Sequence, residues 1–323
     1  MFARPLKESS SHKSIIFYRD FQEYTGGHQK VADYFQHVKT MQEYNARISF
    51  SATTLWNSSN PWFPEYQQKQ VDYLPINYDY AFLAGVDWQL YLSSPRPKNQ
   101  PVVNLIQHVR HADPAQPMHR FLVEKAVRIC VSADVASAIQ DTGKVNGPLF
   151  TIANGIEIPA IEPQKKKYDL LIFGPKNPKM AAELKNNLAL HGIQMACILD
   201  WLPRQELLTL LASSRITVML PNETEGFYLP ALESMRYSEL TIVPDCVGNR
   251  SFCRNRENCL FPEYNSAALM SAVKEAMEII EQPAKLNTFK QHCESTLAYH
   301  SLARERDEFL KLMQQLDTLW EQM

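Results

Sequence analysis

Two glutamates eight positions apart, Glu225 and Glu233, are the groups in this sequence best placed to do chemistry. The apolar run Ile216–Leu220 precedes them and reads as a buried strand. Pro230 lies between them; lacking a backbone N–H and with φ preset, it suits the first turn of a helix. The stretch from Pro221 to Met235 therefore predicts loop then helix, with Glu225 and Gly226 in the loop and Glu233 about one turn into the helix. Both carboxylates can then look into the crevice above the strand's C-terminal end, where open α/β sheets bind ligands. The N–H groups at the helix start point the same way and favour a phosphate. A solvated acidic helix start would also place glutamates here, since the helix dipole favours them.

The elements that must position these groups follow from periodicity. Residues 14–21 read as a first strand, Gly26-Gly27 as a turn, and Val31, Tyr34, Phe35, Val38 and Met41 as one apolar helix face. Strand, Gly-Gly turn and helix can cradle a phosphate, although a plain tight turn reads the same. Lys30, one turn into that helix, is expected to be solvated. Further strands are expected at 46–51, 80–84, 102–106 and 129–132, and helices at 119–128 and 134–140. Residues 52–75, with Trp56, Trp62, Phe63 and Tyr73, read as an aromatic loop packing on its own domain rather than stacking on a sugar. Pro159–Lys167, with two prolines and three consecutive lysines, has linker composition. Beyond it, strands are expected at 168–173, 193–199, 216–220 and 240–243, and helices at 179–191, 204–214, 229–238, 266–280 and 301–320. The alternation argues α/β with parallel sheets.

Composition narrows the class. With 45% apolar and 21% charged residues, the 323-residue chain is that of a soluble globular protein long enough for two domains. A net charge of −2 gives no global pull toward nucleic acid. No apolar run is long enough to span a bilayer, and residues 1–13 do not read as a secretion signal. The six cysteines (130, 197, 246, 253, 259, 293) lack paired C-x-x-C spacing and read as reduced thiols, with zinc between Cys246 and Cys259 as the minor alternative. Only ten glycines occur. Gly26, Gly27, Gly155, Gly174, Gly226 and Gly248 each follow an expected strand and mark sharp turns or close approaches.

Glu225-Gly226-Phe227, Leu229-Pro230 and Leu232-Glu233-Ser234-Met235 together resemble the Glu-x7-Glu motif of retaining glycosyltransferases of the GT-B architecture, in particular the GT4-like (group 1) families. The resemblance covers residues 168–281 well and the first 160 loosely. It implies two Rossmann-like domains facing across a cleft: an acceptor domain (1–160), a nucleotide-sugar donor domain (161–290), and a terminal helix (291–323) crossing back to the first. It further implies that Glu225 bonds sugar hydroxyls and Glu233 the ribose. The amides of Gly226, Phe227 and Tyr228, with Leu229 beside them, would contact sugar and diphosphate. Gly27 would lie against the diphosphate, His108 (or His111) would line the sugar, and Trp201 or Leu202 would meet the base. The family carries Gly-Arg after the first strand of the donor domain. Here Gly174 has no following arginine, so Lys176, Lys179 or both would neutralise the leaving diphosphate, which a cation in a water-poor crevice does better than water. Phe150–Ile156 is similar to the family's strand-Asn-Gly-Ile segment, with Glu157 for the usual Asp. The family's Gly-Gly-x-x-Glu and small-Gly-x-Pro are largely absent.

The resulting expectation is a retaining glycosyltransferase that moves a sugar from a nucleotide-sugar donor to a hydroxyl of a glycan or lipid-linked acceptor, in bacterial envelope polysaccharide synthesis. His108, Glu225 and Lys176 would carry catalysis. No Asp-x-Asp stands near a strand end, so neither metal nor cofactor is expected. The location would be cytoplasmic, with peripheral contact at the inner membrane face as a further expectation and no nucleic-acid partner. The alternatives are a catalytically lapsed GT-B subunit that binds nucleotide sugar and, more remotely, an epimerase of similar fold, for which no acid/base set is identifiable.

Overall fold

A computed structural model describes residues 12–189 and 192–323. Two compact units emerge. One holds the described residues up to Val131, then Val135–Ile152 and Glu305–Met323; the other holds Ser132–Asp134 and Ala153–Arg304.

The first unit is a six-stranded sheet: β1 (Lys13–Arg19), β2 (Tyr44–Phe50), β3 (Tyr80–Ala84), β4 (Val102–Ile106), β5 (Val127–Cys130) and β6 (Leu149–Thr151), in the order β2-β1-β3-β4-β5-β6. Each neighbouring pair is parallel. Strands β3, β4 and β5 are buried at every residue, as a parallel sheet covered on both faces requires. Helix α1 (Gly26–Lys39) starts where the Thr25 hydroxyl accepts from the His28 amide, 3.2 Å away. Its apolar face brings Phe35 edge-on to Phe17, with centroids 5.2 Å apart, while Phe17 stacks on Phe82 at 4.6 Å. The aromatic loop packs inward, with Trp62 buried and both Trp56 and Trp62 against Phe50.

The second unit contains β7 (Tyr168–Phe173), β8 (Met195–Ile198), β9 (Ser214–Met219) and β10 (Leu240–Ile242), all parallel, in the order β10-β9-β7-β8. Successive side chains of a strand point to opposite faces. Leu170 and Ile172 accordingly join Ile216 and Val218 beneath α4 (Pro178–Leu188) and α7 (Ser266–Ile280). Leu171 and Phe173 join Met219 beneath α5 (Arg204–Ala212) and α6 (Leu229–Tyr237).

Several elements depart from expectation. The helix predicted over 119–128 is a 3-10 segment, Pro117–Val123, and Arg128 lies in β5. The reason is the buried Arg128 guanidinium, which donates to the carbonyls of Phe121, Leu122 and Glu124, oxygens a helix would have used internally, and to those of Ala126 and Asn146. Two helices had no clear periodic signal: α2 (Asp87–Ser93) and α8 (Pro283–Tyr299). The predicted 301–320 helix is two, α9 (Leu302–Gln314) and α10 (Leu316–Glu321). In α10, Asp317 accepts from the Tyr80 hydroxyl and from Lys13, each at 2.6 Å. The end expected for α4 at His191 falls outside the described residues.

Lys30 is the largest correction. It is not solvated but 1% exposed, with its ammonium 2.8 Å from Glu305 and 2.7 Å from Asp33. His37 reaches the other Glu305 oxygen at 3.0 Å.

Burial also sets a pH dependence. His111, beside the cationic Arg110 and His108, is pushed down to about 4 mainly by desolvation. The unfolded chain takes up this proton near pH 6.5, the native chain only near 4. Its stabilising contribution is therefore complete above about 6.5 and is lost as pH falls toward 4. Urea unfolding of His111→Phe between those values should show a flatter loss of stability than the parent, by roughly 3 kcal/mol at full extent. Parallel curves would contradict the assignment.

Candidate functional site

In the second sheet the first strand of the unit, β7, lies beside the third, β9, and the strand order reverses between them. A crevice opens at such a reversal, at the carboxyl ends of the two strands. The loops that leave those ends carry Lys176 and Glu225, and the structure joins the two side chains in an ion pair. The motif thus follows the third strand of its unit. Asn177 caps α4 by accepting from the Met180 amide at 3.2 Å, with Pro178 in the first turn, which fixes where the Lys176 loop ends. Gly174 keeps that loop close to the helix: a Cβ there would stand 2.5 Å from the Ala181 methyl.

The Lys176 ammonium also lies 5.3 Å from the Tyr228 ring centroid and 5.8 Å from that of Trp201, within range for cation–π attraction. Trp201 is 69% exposed, so its ring is presented to solvent beside the lysine. Leu202 is half-buried, and Lys179 is exposed on the first turn of α4. Of the two lysines only Lys176 joins Glu225.

Glu233, in α6, is 5% exposed. Burial pushes its carboxyl up, and the Arg204 guanidinium, bonded at 2.7 Å, only partly pulls it back. Arg204 also donates to the Glu157 carbonyl at 2.7 Å. This arginine was not legible as a site residue, because it comes from the first position of α5, 29 residues before its partner.

The motif loop is seated on a second loop. The Val247 amide donates to the Glu223 carbonyl at 3.0 Å and the Tyr228 amide to the Gly248 carbonyl at 3.4 Å. The Tyr228 amide, expected to face a ligand, is thus turned toward Gly248. Its side chain is buried, and the hydroxyl has no hydrogen-bond partner among the described residues. Gly226 is buried and Phe227 half-buried, while Leu229 opens α6 with Pro230 in its first turn. A Cβ on Gly248 would come within 2.9 Å of the Phe227 backbone and 3.0 Å of the Glu225 carbonyl. Gly248→Ala should therefore displace the Glu225 loop and weaken ligand binding at least tenfold while leaving far-UV circular dichroism unchanged. Unaltered binding by calorimetry would show that the two loops yield independently.

The remaining candidates are in the first unit. Gly27 is the second residue of α1, and its carbonyl accepts from the Gln107 side chain at 3.2 Å. His108, the next residue, caps a 3-10 turn (Val109–Ala112) by accepting from the Arg110 amide at 3.0 Å through Nδ1. His111 is buried, and its carbonyl meets the His119 ring at 3.1 Å. Among the described residues no cluster of His, Cys, Asp or Glu could hold a metal ion.

The profile of the family "Glycosyl transferases group 1" matches residues 156–278. That segment resembles the group 1 glycosyltransferases. Lys176, Arg204, Glu225, Glu233 and Gly248 all fall inside it. Among solved structures, a sucrose-phosphate synthase from Thermosynechococcus elongatus is 12% identical, with TM-score 0.66, covering 95% of this chain and 100% of its own. Anabaena HepE in complex with UDP-glucose is 13% identical, with TM-score 0.71, over 94% and 100%. A glycosyltransferase from Rickettsia africae is 12% identical, with TM-score 0.63, over 94% and 98%. At such identities the likeness is one of fold: GT-B, two Rossmann-like α/β units. No curated protein matches in sequence.

Proposed function

We propose that the chain is a group 1 retaining glycosyltransferase that moves a sugar from a nucleotide-sugar donor to a hydroxyl of a glycan or glycolipid, in bacterial envelope polysaccharide synthesis. The observation that carries this reading is the Lys176–Glu225 pair at the strand reversal, inside the matched segment. A nucleotide diphosphate would lie against Lys176, the base against Trp201, the sugar hydroxyls against Glu225, and the ribose against Glu233. As the bond from the anomeric carbon to the diphosphate breaks, its electron pair passes to the phosphate oxygen, where Lys176 neutralises the new charge. The acceptor oxygen bonds to the same face of the sugar, and its proton goes to the departing phosphate. Lys176 supplies the charge stabilisation in this scheme, and the reaction is proposed to proceed without metal or cofactor. HepE, of like fold, was solved with UDP-glucose. No helix among the described residues is long and apolar enough to cross a membrane; peripheral contact at the cytoplasmic face is part of the proposal.

A thermal-shift panel of UDP-, GDP-, ADP- and dTDP-glucose tests donor binding, since a ligand of the native state raises Tm by mass action. One member should raise Tm of the parent and not of Glu225→Ala. If none does, the donor-site reading fails.

One observation favours a second reading, binding without turnover: both motif carboxylates already hold cations, Lys176 on Glu225 and Arg204 on Glu233. Donor binding with neither hydrolysis nor transfer across glycan and glycolipid acceptors would establish it.

A further inference from the structure

We infer that Glu225 makes the site select the intact nucleotide sugar over the nucleoside diphosphate left after transfer, and so promotes product release. This rests on the donor site proposed above. The Lys176 and Glu225 side chains are only 21% and 16% exposed, so their charges are weakly screened. The pair is formed through one carboxylate oxygen, Oε1, which also accepts from the Asn222 side chain at 3.3 Å. Among the described residues Oε2 takes no hydrogen bond. It remains an available acceptor on the same carboxylate that holds the Lys176 ammonium.

The two ligands meet that acceptor differently. In a nucleotide sugar the β-phosphate is substituted on both sides, by an anhydride to the α-phosphate and an ester to the sugar, and the hexose beyond it offers hydroxyls that can donate to Oε2. In the diphosphate product the β-phosphate is terminal, carries further negative charge near neutral pH, and brings no donor. The product can still reach Lys176, but only by placing an anion beside a half-buried carboxylate, where like charges repel. Lys176 therefore attracts both ligands and Glu225 tells them apart. Specificity here comes from the repulsive element as much as from the attractive one.

Calorimetry with the nucleotide sugar retained in the thermal-shift panel and its own diphosphate tests this. The parent should bind the sugar nucleotide more tightly. Glu225→Gln keeps the side chain's shape and removes its charge; it should tighten diphosphate binding about tenfold, ~1.4 kcal/mol, and weaken the sugar nucleotide. Diphosphate binding that is unchanged or weaker in Glu225→Gln overturns the inference. A measurement on the parent alone guards against a variant that misfolds: adding the β-phosphate, from the nucleoside monophosphate to the diphosphate, should gain little affinity. A parent that binds the diphosphate more tightly than the sugar nucleotide overturns the inference with no variant needed. If the parent binds no member of the panel, it is the donor-site reading that has failed, and this inference with it.

Discussion

Replacing Lys176 with alanine is expected to lower kcat by about 10²–10³-fold, the usual effect of removing one group that stabilises transition-state charge. The ammonium stands at the reversal between β7 and β9, held by Glu225 and by the faces of Tyr228 and Trp201. A cation held this way does not reorganise when the diphosphate leaves, and low exposure keeps its field strong. KM should rise less than kcat falls, because charge on the departing phosphate grows toward the transition state. Lys179→Ala, at an exposed position, is expected to stay within about twofold of the parent. Steady-state kinetics with the donor from the panel makes the comparison. Equal losses in the two variants would move the role onto the loop as a whole.

Glu305→Ala should cost roughly 3–5 kcal/mol of stability, the scale found when one partner of a buried ion pair is removed. Glu305 is 1% exposed and takes two bonds from Lys30, at 2.8 and 3.0 Å, and one contact from His37 at 3.0 Å. Without it, Lys30 keeps Asp33 but has lost its closer-enclosed counter-charge in a place water does not reach. The loss should appear as a fall in Tm of roughly 10 °C, at a few degrees per kcal/mol for units of this size. Lys30→Met with Glu305→Leu and Asp33→Asn should recover most of it, because uncharged side chains of similar volume replace the whole buried charge cluster at little cost. A single variant that melts within a degree or two of the parent would show that the network is dispensable.

Both predictions concern lysines that look alike in the sequence, and the structure separates them. Each follows a strand and a glycine, Gly174 two residues before Lys176 and Gly27 three before Lys30. Lys176 pairs with a glutamate 49 residues away and Lys30 with one 275 residues away. Nothing local to residue 30 announces burial, since its neighbours on α1 include His28, Gln29 and Asp33. Arg128 is a similar case. The apolar residues at 121–127 suggested a helix, and only the tertiary position of the guanidinium, surrounded by backbone carbonyls, explains why that stretch stays 3-10.

Where apolar runs are buried on both faces, the sequence was explicit. Tyr80–Ala84, Val102–Ile106 and Tyr168–Phe173 form strands with the bounds their composition predicts, and Ser266–Ile280 a helix with the bounds its periodicity predicts. Loop chemistry was also local: Pro230 stands in the first turn of α6, where a missing N–H and a preset φ cost nothing. Alternation and turn residues could therefore determine an α/β chain with parallel sheets and a strand–loop–helix bearing Glu225 and Glu233. Which charges meet was decided only by the tertiary structure. Strand order placed the Lys176 loop beside the Glu225 loop, and α5 brought Arg204 to Glu233. Periodicity reports which face of an element is apolar; the partner of a buried charge depends on where distant elements come to lie.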